Sequence, residues 1–269
     1  MERLTSDELR RVQVDILRTI DQFCREQGIT YYLAFGTLLG AVRHGGYIPW
    51  DDDIDLMMLR TDYVTFIETF PGTPSAKGLS LGASETRDDW PFPYAKVSDD
   101  RTQMQEESDV AVPLGVNVDV FPVDGCPQRS TMRRLQRVEL SVFRSLLTLK
   151  SLTPRPGRAW HRRLVTLLTK PLTRLVTTRW LVERFTNSAR RYRTDVSDHV
   201  GVRVGSFDWS VRRAALATPV AVEFEGGSYL APHDTHLVLT TLYGDYMALP
   251  PEAERVSHHR FVARWRQAP

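Results

Sequence analysis

Near the start of the chain the apolar positions recur at spacings of three and four. Leu9, Val12, Ile16, Ile20 and Phe23 fall on one face, which is helical periodicity. Thr5 or Ser6 stands ahead of this run as a cap, and Asp7 and Glu8 occupy the first turn, where the positive end of the helix dipole favours them. Gly28 is placed to end the helix. TYYLAF (30–35) then reads as a strand running into a Gly36–Thr37 turn, and LLGAVRH as a short helix or turn. IDLMML (54–59) reads as a second strand and RTDYVTFIETF (60–70) as a helix. Residues 71–93 are rich in Pro, Gly and Ser and predict a long loop holding a short strand near 78–83. YAKVSD and GVNVDVFPVDG (115–125) are further strands, the second alternating Val116, Val118 and Val120 with Asn117, Asp119 and Phe121. Residues 129–195 read as mostly helical, broken at TPRPG (153–157) and Pro171. FEGGSYLAP (224–232) predicts a hairpin with a Gly-Gly turn, and a short helix follows around 233–243.

Composition narrows the class. A chain of 269 residues with 42% hydrophobic and 25% charged positions can bury a sizeable core, as one large domain or two small ones. The opening MERLTSDELR has no apolar run, so no signal peptide is read, and no segment has the uncharged length needed to span a bilayer. Cys24 and Cys126 make neither a disulfide framework nor a metal-ligand spacing. The default is a reduced, cytoplasmic protein. A net charge of +2 conceals an asymmetry: between Arg129 and Arg193, 17 Lys and Arg face only Glu139 and Glu183, so the rest of the chain is acidic. The expected organisation is a catalytic core over 1–128, a basic helical region over 129–200 and a C-terminal segment, 201–269, packing back on the core.

The chemistry concentrates in GTLLGAVRHGGYIPWDDDIDL (36–56), where four aspartates occupy five positions. If 51–55 is extended, Asp51, Asp53 and Asp55 share one side and Asp52 faces the other. Like charges this close repel unless a cation sits among them. A solvated acidic loop is the plain alternative, but Ile54 and Leu56 alternate with the acids and the strand continues into Met57 and Met58. An EF-hand needs Gly at its sixth position and Glu at its twelfth, where this chain has Leu56 and Asp62. What remains is a metal site for phosphoryl transfer, in which Mg2+ takes one or two carboxylates with substrate phosphates and waters. A third carboxylate from a neighbouring strand completes such a site or receives the acceptor's proton, and Asp119, alone between two valines, fits. Gly36 lets backbone approach a ligand, and the adjoining Thr37 hydroxyl and N–H groups suit phosphate oxygens. Neither GxxxxGK[ST] nor GxGxxG occurs, which removes phosphate-loop and dinucleotide-binding readings.

The run GTLLGAVRHGGYIPWDDDIDLMMLRTDYVTF closely resembles the signature of the LicD family, which includes bacterial phosphocholine transferases and the fukutin-related proteins. The resemblance continues through YAKVSDDRT (94–102), VNVDVFPVDG (116–125) and YGDYMALPP (243–251), with His258 following. It implies an α+β, nucleotidyltransferase-like fold: a small mixed sheet flanked by helices, with Gly-Thr on the first strand and Asp-x-Asp on the second. It also implies a CDP-activated alcohol as donor, a sugar or glycan hydroxyl as acceptor, and release of CMP. Carried over, Asp53, Asp55 and Asp119 are the metal and catalytic carboxylates, and Asp51 supports them from the edge. Arg43, with His44 beside it, is a candidate for the diphosphate, and Lys96 for neutralising phosphate charge; Tyr47 and Trp50 read as core aromatics and YGDYM as mainly structural. Transfer of a nucleotide itself, with release of pyrophosphate, and a non-catalytic nucleotide-binding relic are the alternatives. In the basic region Trp160, Leu164, Leu167, Leu168, Leu172, Leu175, Trp180 and Leu181 alternate with Arg and Lys, as on an interfacial helix. If the acceptor is lipid-linked, residues 155–193 are expected to touch the inner face of a membrane. The competing reading is a helical subdomain packed on the core. No base-reading motif accompanies the charge, so no nucleic acid is expected.

Overall fold

The computed structural model describes residues 2–106, 112, 114–151, 176–204, 209–256 and 261–266. The breaks expected at 153–157 and Pro171, the apolar positions from Trp160 to Leu175, and His258 lie outside them.

Helix α1 (Ser6–Gln27) begins with a complete capping box: the Thr5 hydroxyl accepts from Glu8 N–H, and the Glu8 carboxylate accepts from Thr5 N–H. It ends at Gly28, whose φ of 66° is the left-handed conformation that releases the chain from the helix. All five residues of its expected apolar face are buried. Phe23 packs edge-on against Phe66 and Phe70 at 6.0 and 5.1 Å between ring centroids.

Strand β1 is only Tyr32–Leu33, and α2 (Phe35–His44) follows after one residue. The expected strand through residue 35 and the Gly36–Thr37 turn are therefore replaced by a helix start. The chain changes direction at Phe35, whose φ is 45°, a conformation that no bulky side chain favours and that propensity does not signal. Strand β2 (Asp55–Leu59) leads into α3 (Arg60–Thr69), then β3 (Leu79–Gly82), β4 (Ala95–Asp99), β5 (Thr102–Glu106) and β6 (Asn117–Gly125). The principal sheet is ordered β1-β2-β6-β4-β3. β2 and β6 are parallel and the other pairs on this path antiparallel, so the fold is mixed α+β.

The long β6 is the spine of this sheet. Its first half pairs with β4, and its last three residues pair with β7 (His199–Val202), which in turn pairs with β8 (Val211–Arg212). β6 is covered on both faces, so the valine alternation seen in sequence does not separate an inside from an outside. The basic region supplies α4 (Ser130–Ser151) and α5 (Thr178–Ala189), packed on each other.

The hairpin of β9 (Val220–Phe224) and β10 (Gly227–Ala231) turns at Glu225–Gly226, with φ of 49° and 71°, rather than at the two glycines. Glu225 holds this conformation because its N–H donates to Gly45 C=O and its carboxylate accepts from Tyr47 N–H. Helix α6 (Thr235–Tyr243) and strand β11 (Phe261–Trp265), which pairs with β5, follow. Cys24 and Cys126 are buried.

At the end of β6, Asp124 is 1% exposed and takes a bidentate pair from Arg60 at the start of α3, at 2.7 and 2.8 Å. Asp124→Ala leaves the Arg60 cation buried with only Glu85 to face it. The expected loss in a urea titration is about 3–5 kcal/mol; a loss below about 1 kcal/mol contradicts this role.

Candidate active site

Three adjacent strands align three charged residues. In the β2/β6 register Asp55 is opposite Asp119, and in the β4/β6 register Asp119 is opposite Lys96. Residues opposed in register point to the same face, so Asp55, Asp119 and Lys96 form a row across the sheet. The row sits where Asp55 begins β2. Its N–H donates to the Thr37 hydroxyl at 2.8 Å, its C=O accepts from Ala34 N–H, and Asp119 N–H donates to Ile54 C=O.

The preceding loop is shaped from outside. Asp51 N–H closes a turn onto Ile48 C=O, with Pro49 and Trp50 between. From α1, Arg10 donates to the carbonyls of Pro49 and Asp51, and Gln13 donates to that of Asp52 at 2.9 Å. Gln13 is itself buried and fixed by the Tyr47 hydroxyl, while the Arg10 guanidinium lies over the Tyr47 ring. Carboxylate oxygens of Asp51, Asp52 and Asp53 converge to within 4.8 Å of one another. Asp52 therefore joins the group instead of facing away: β2 starts only at Asp55, so strand alternation does not apply to 51–54.

Gly36 lies directly under this loop. A Cβ built there would overlap the Asp51 carboxylate, so only glycine admits Asp51 at that position. Thr37 is buried, and its hydroxyl anchors β2 rather than standing open to a ligand. Arg43, near the end of α2, donates from Nη1 to the carbonyls of Tyr246 at 2.8 Å and Ala248 at 3.3 Å, and thus ties α2 to the YGDYM segment. Tyr47 is core, as expected, while Trp50 is partly buried between His44 and Arg255. Lys96 is neither solvent-facing nor turned to open space: it is 7% exposed, and its Nζ lies 2.7 and 2.8 Å from the two Asp119 oxygens.

Burial pushes the Asp55 carboxyl well above the usual range, and Asp53, Asp119 and Asp51, in that order, push it further, with Lys96 only partly opposing. Residues that sequence reasoning did not assign to the site also belong to it. Arg10 and Gln13 reach it only through tertiary packing. The Tyr243 phenol is pushed up by burial and then by Asp55, Asp51 and Asp53, which places its hydroxyl in the field of the cluster. Only the YGDYM segment, read as mainly structural, pointed toward it.

Comparisons with known proteins meet this geometry. The family model of the LicD/FKTN/FKRP nucleotidyltransferase domain matches residues 28–134, a span holding Gly36, the aspartate loop, Lys96 and Asp119. The lipopolysaccharide cholinephosphotransferase LicD of Haemophilus influenzae is 29% identical over 96% of this chain and 97% of its own length. Residues 28–134 thus match the LicD/FKTN/FKRP family model, and similarity to LicD runs over nearly the whole chain. The human ribitol 5-phosphate transferase FKRP is 42% identical over 61 residues, 23% of this chain and 12% of that protein. Its mouse counterpart is 62% identical over 35 residues, 7% of its own length.

The donor set is all carboxylate oxygen, the chemistry that Mg2+ and Mn2+ take. Convergence of Asp51, Asp52 and Asp53 beside the charge-disfavoured Asp55 fits a divalent cation. In the metal-free protein the raised Asp55 pKa makes a signed prediction. A carboxyl whose pKa rises on folding contributes stability below its unfolded value of about 4, and that contribution is lost as pH rises through the folded value. The urea midpoint of the metal-free chain should therefore fall, as pH rises above the unfolded value, more steeply than that of Asp55→Asn. Equal slopes would contradict the assignment.

Proposed function

We propose that this chain transfers a phospho-alcohol group, such as phosphocholine or ribitol phosphate, from a CDP-activated donor to a sugar or glycan hydroxyl. One observation carries the reading: the aspartate loop and the Asp55–Asp119 row converge beside Gly36, at the N-terminus of α2. Similarity over nearly the whole chain to a cholinephosphotransferase supports the class of group transferred.

In this reading Asp53 and Asp55, with Asp51 and Asp52 beside them, would hold Mg2+ or Mn2+, which when bound would offset phosphate charge. Asp119 orients the acceptor hydroxyl and accepts its proton as the oxygen attacks phosphorus. The new O–P bond forms as the phosphoanhydride bond to CMP breaks, and CMP leaves. The backbone N–H groups of Gly36 and Thr37, in the first turn of α2, face the positive end of that helix and suit the donor's phosphates. Arg43, with Nη1 held by Tyr246 and Ala248, offers Nη2 to the same group. Transfer of the nucleotide itself would release pyrophosphate from a nucleoside triphosphate, and a relic would bind nucleotide without turnover.

The test is release of CMP from CDP-choline and CDP-ribitol, with a glycan acceptor and Mg2+ or Mn2+. Wild type should release CMP, and Asp53→Ala should lose about 100-fold or more while keeping its melting curve. Gly36→Ala should lose activity through displacement of Asp51. Pyrophosphate in place of CMP, or near-wild-type turnover by Asp53→Ala, overturns the assignment.

Support for a membrane-facing role of the basic region comes from exposed apolar side chains: of the positions its sequence suggested that are described, Trp180 is exposed. Leu181 is buried, whereas Met132, Leu135, Val138 and Val142 form an exposed apolar stripe on α4, with Arg134 and Arg137 exposed beside it. Among the described residues no helix is long and apolar enough to cross a membrane. An amphipathic basic face of this kind suits anionic lipid at the inner surface. Co-sedimentation with vesicles containing anionic lipid should exceed that with neutral vesicles, fall with salt, and drop several-fold in Leu135→Ser/Val138→Ser. Equal binding to both kinds of vesicle, or none, contradicts it.

A further inference from the structure

Lys96 sits where a second cation of a two-ion phosphoryl-transfer site would need to be. Such sites place their ions about 3.5–4 Å apart and stabilise both the entering and the leaving oxygen. A carboxylate shared between them offers one oxygen to each ion. Asp119 occupies the place of such a carboxylate, opposite Asp55 in register, but both of its oxygens face Lys96 Nζ, at 2.7 and 2.8 Å. A third acceptor, Asn117 Oδ1, lies 3.3 Å from the same nitrogen. Three acceptors match the three N–H donors of an ammonium.

The surroundings hold the ammonium there. The Lys96 residue is 7% exposed, and its nitrogen lies 5.2 Å from the centroid of Phe92 and 5.5 Å from that of Tyr94, within the range of cation–π attraction. Tyr94 is in turn stacked toward Phe121 at 4.4 Å. The stem is buried, which restricts the rotamers open to it. Lysine also has an electrostatic reason to be here: the two carboxylates of the Asp55–Asp119 row would otherwise share a buried surface with no positive charge between them and the apolar core.

We propose that Lys96 is a built-in replacement for the second metal ion: it engages both oxygens of Asp119 permanently, so the site takes up one divalent cation, on the Asp51–Asp53–Asp55 side. Lys96 is thereby a positioning residue acting through Asp119, in place of the direct phosphate contact expected from sequence. Asp119 is left as the carboxylate that meets the acceptor hydroxyl, held and charge-balanced by an ammonium, while the ion serves the donor. The proposal rests on the metal-dependent reading above.

The experiment counts ions and needs no turnover. Mn2+ is titrated into the full chain, metal-free at the start, and bound ion is followed by electron paramagnetic resonance and calorimetry. Wild type should saturate at one Mn2+ per chain, and Lys96→Arg should keep that stoichiometry. Lys96→Met, neutral and similar in volume, should admit a second Mn2+ with exchange broadening from the neighbouring ion. Circular dichroism confirms that the variant is folded; should it not fold, the wild-type stoichiometry decides alone. Two tightly bound Mn2+ per wild-type chain overturns the replacement role and leaves the metal-dependent reading standing. A folded Lys96→Met that stops at one ion overturns it as well. No Mn2+ uptake by wild type removes both readings together.

Discussion

The acids of this site are forced together by packing that has nothing to do with charge. β2 carries Leu56, Met57 and Met58, and β6 carries Val118, Val120 and Val123, all fully buried. Each contributes about 1.5–3 kcal/mol by leaving water. The parallel pairing that buries them sets Asp55 beside Asp119, and because both faces are covered a slip by one residue would unmake the packing on each. Hydrophobic packing thus fixes the register, and the register imposes the electrostatic cost. The core offsets repulsion between carboxylates that would separate if the chain were free.

Once that row is fixed, the loop before it must be held from behind, because its own charges favour opening it. Helix α1 does this through the backbone carbonyls of the loop. Arg10 and Gln13 satisfy the carbonyls of Pro49, Asp51 and Asp52 and leave the carboxylates to converge on the other side. Each such bond contributes about 1 kcal/mol net, and those from Arg10 somewhat more because the donor is charged. Gly36 supplies the complementary condition, the absence of a side chain where Asp51 must lie. The capping box and glycine stop that define α1 therefore matter to the chemistry, since they set which residues of the helix face the loop.

Local signals were legible in the sequence, and non-local ones were not. Thr5, Glu8 and Gly28 define α1 by contacts within one or two turns, so its limits could be read directly. The approximate spans of β2, β4 and β6 and the family resemblance were legible for similar reasons, since hydrophobic pattern and a long motif survive without coordinates. Phe35 was not, because a positive φ on a bulky residue is imposed by its surroundings and has no sequence mark. That miss moved Gly36 and Thr37 from a turn into a helix and gave the Thr37 hydroxyl to Asp55. Asp52 was misplaced because alternation was extended into residues that are not strand. Lys96 could be placed on β4, but its partner depends on the register of β4 against β6, and Tyr243 and Arg10 come from segments far away in the chain.

The same charge arrangement orders the events at the site. Before any cation arrives, the aspartate loop presents several carboxylates beside the N-terminus of α2, and an anionic diphosphate is repelled despite the helix dipole. Lys96 does not relieve this, because its ammonium is engaged by Asp119 and Asn117. Arg43 relieves it only in part, with Nη1 committed to the YGDYM backbone. On the proposed reading, cation and donor would then favour each other's binding, and by linkage the coupling is reciprocal: whatever the ion adds to donor affinity, the donor adds to ion affinity. On the proposed reading, an acidic site that is costly when empty would for that reason select a nucleotide donor arriving with its metal over free phosphate arriving without one.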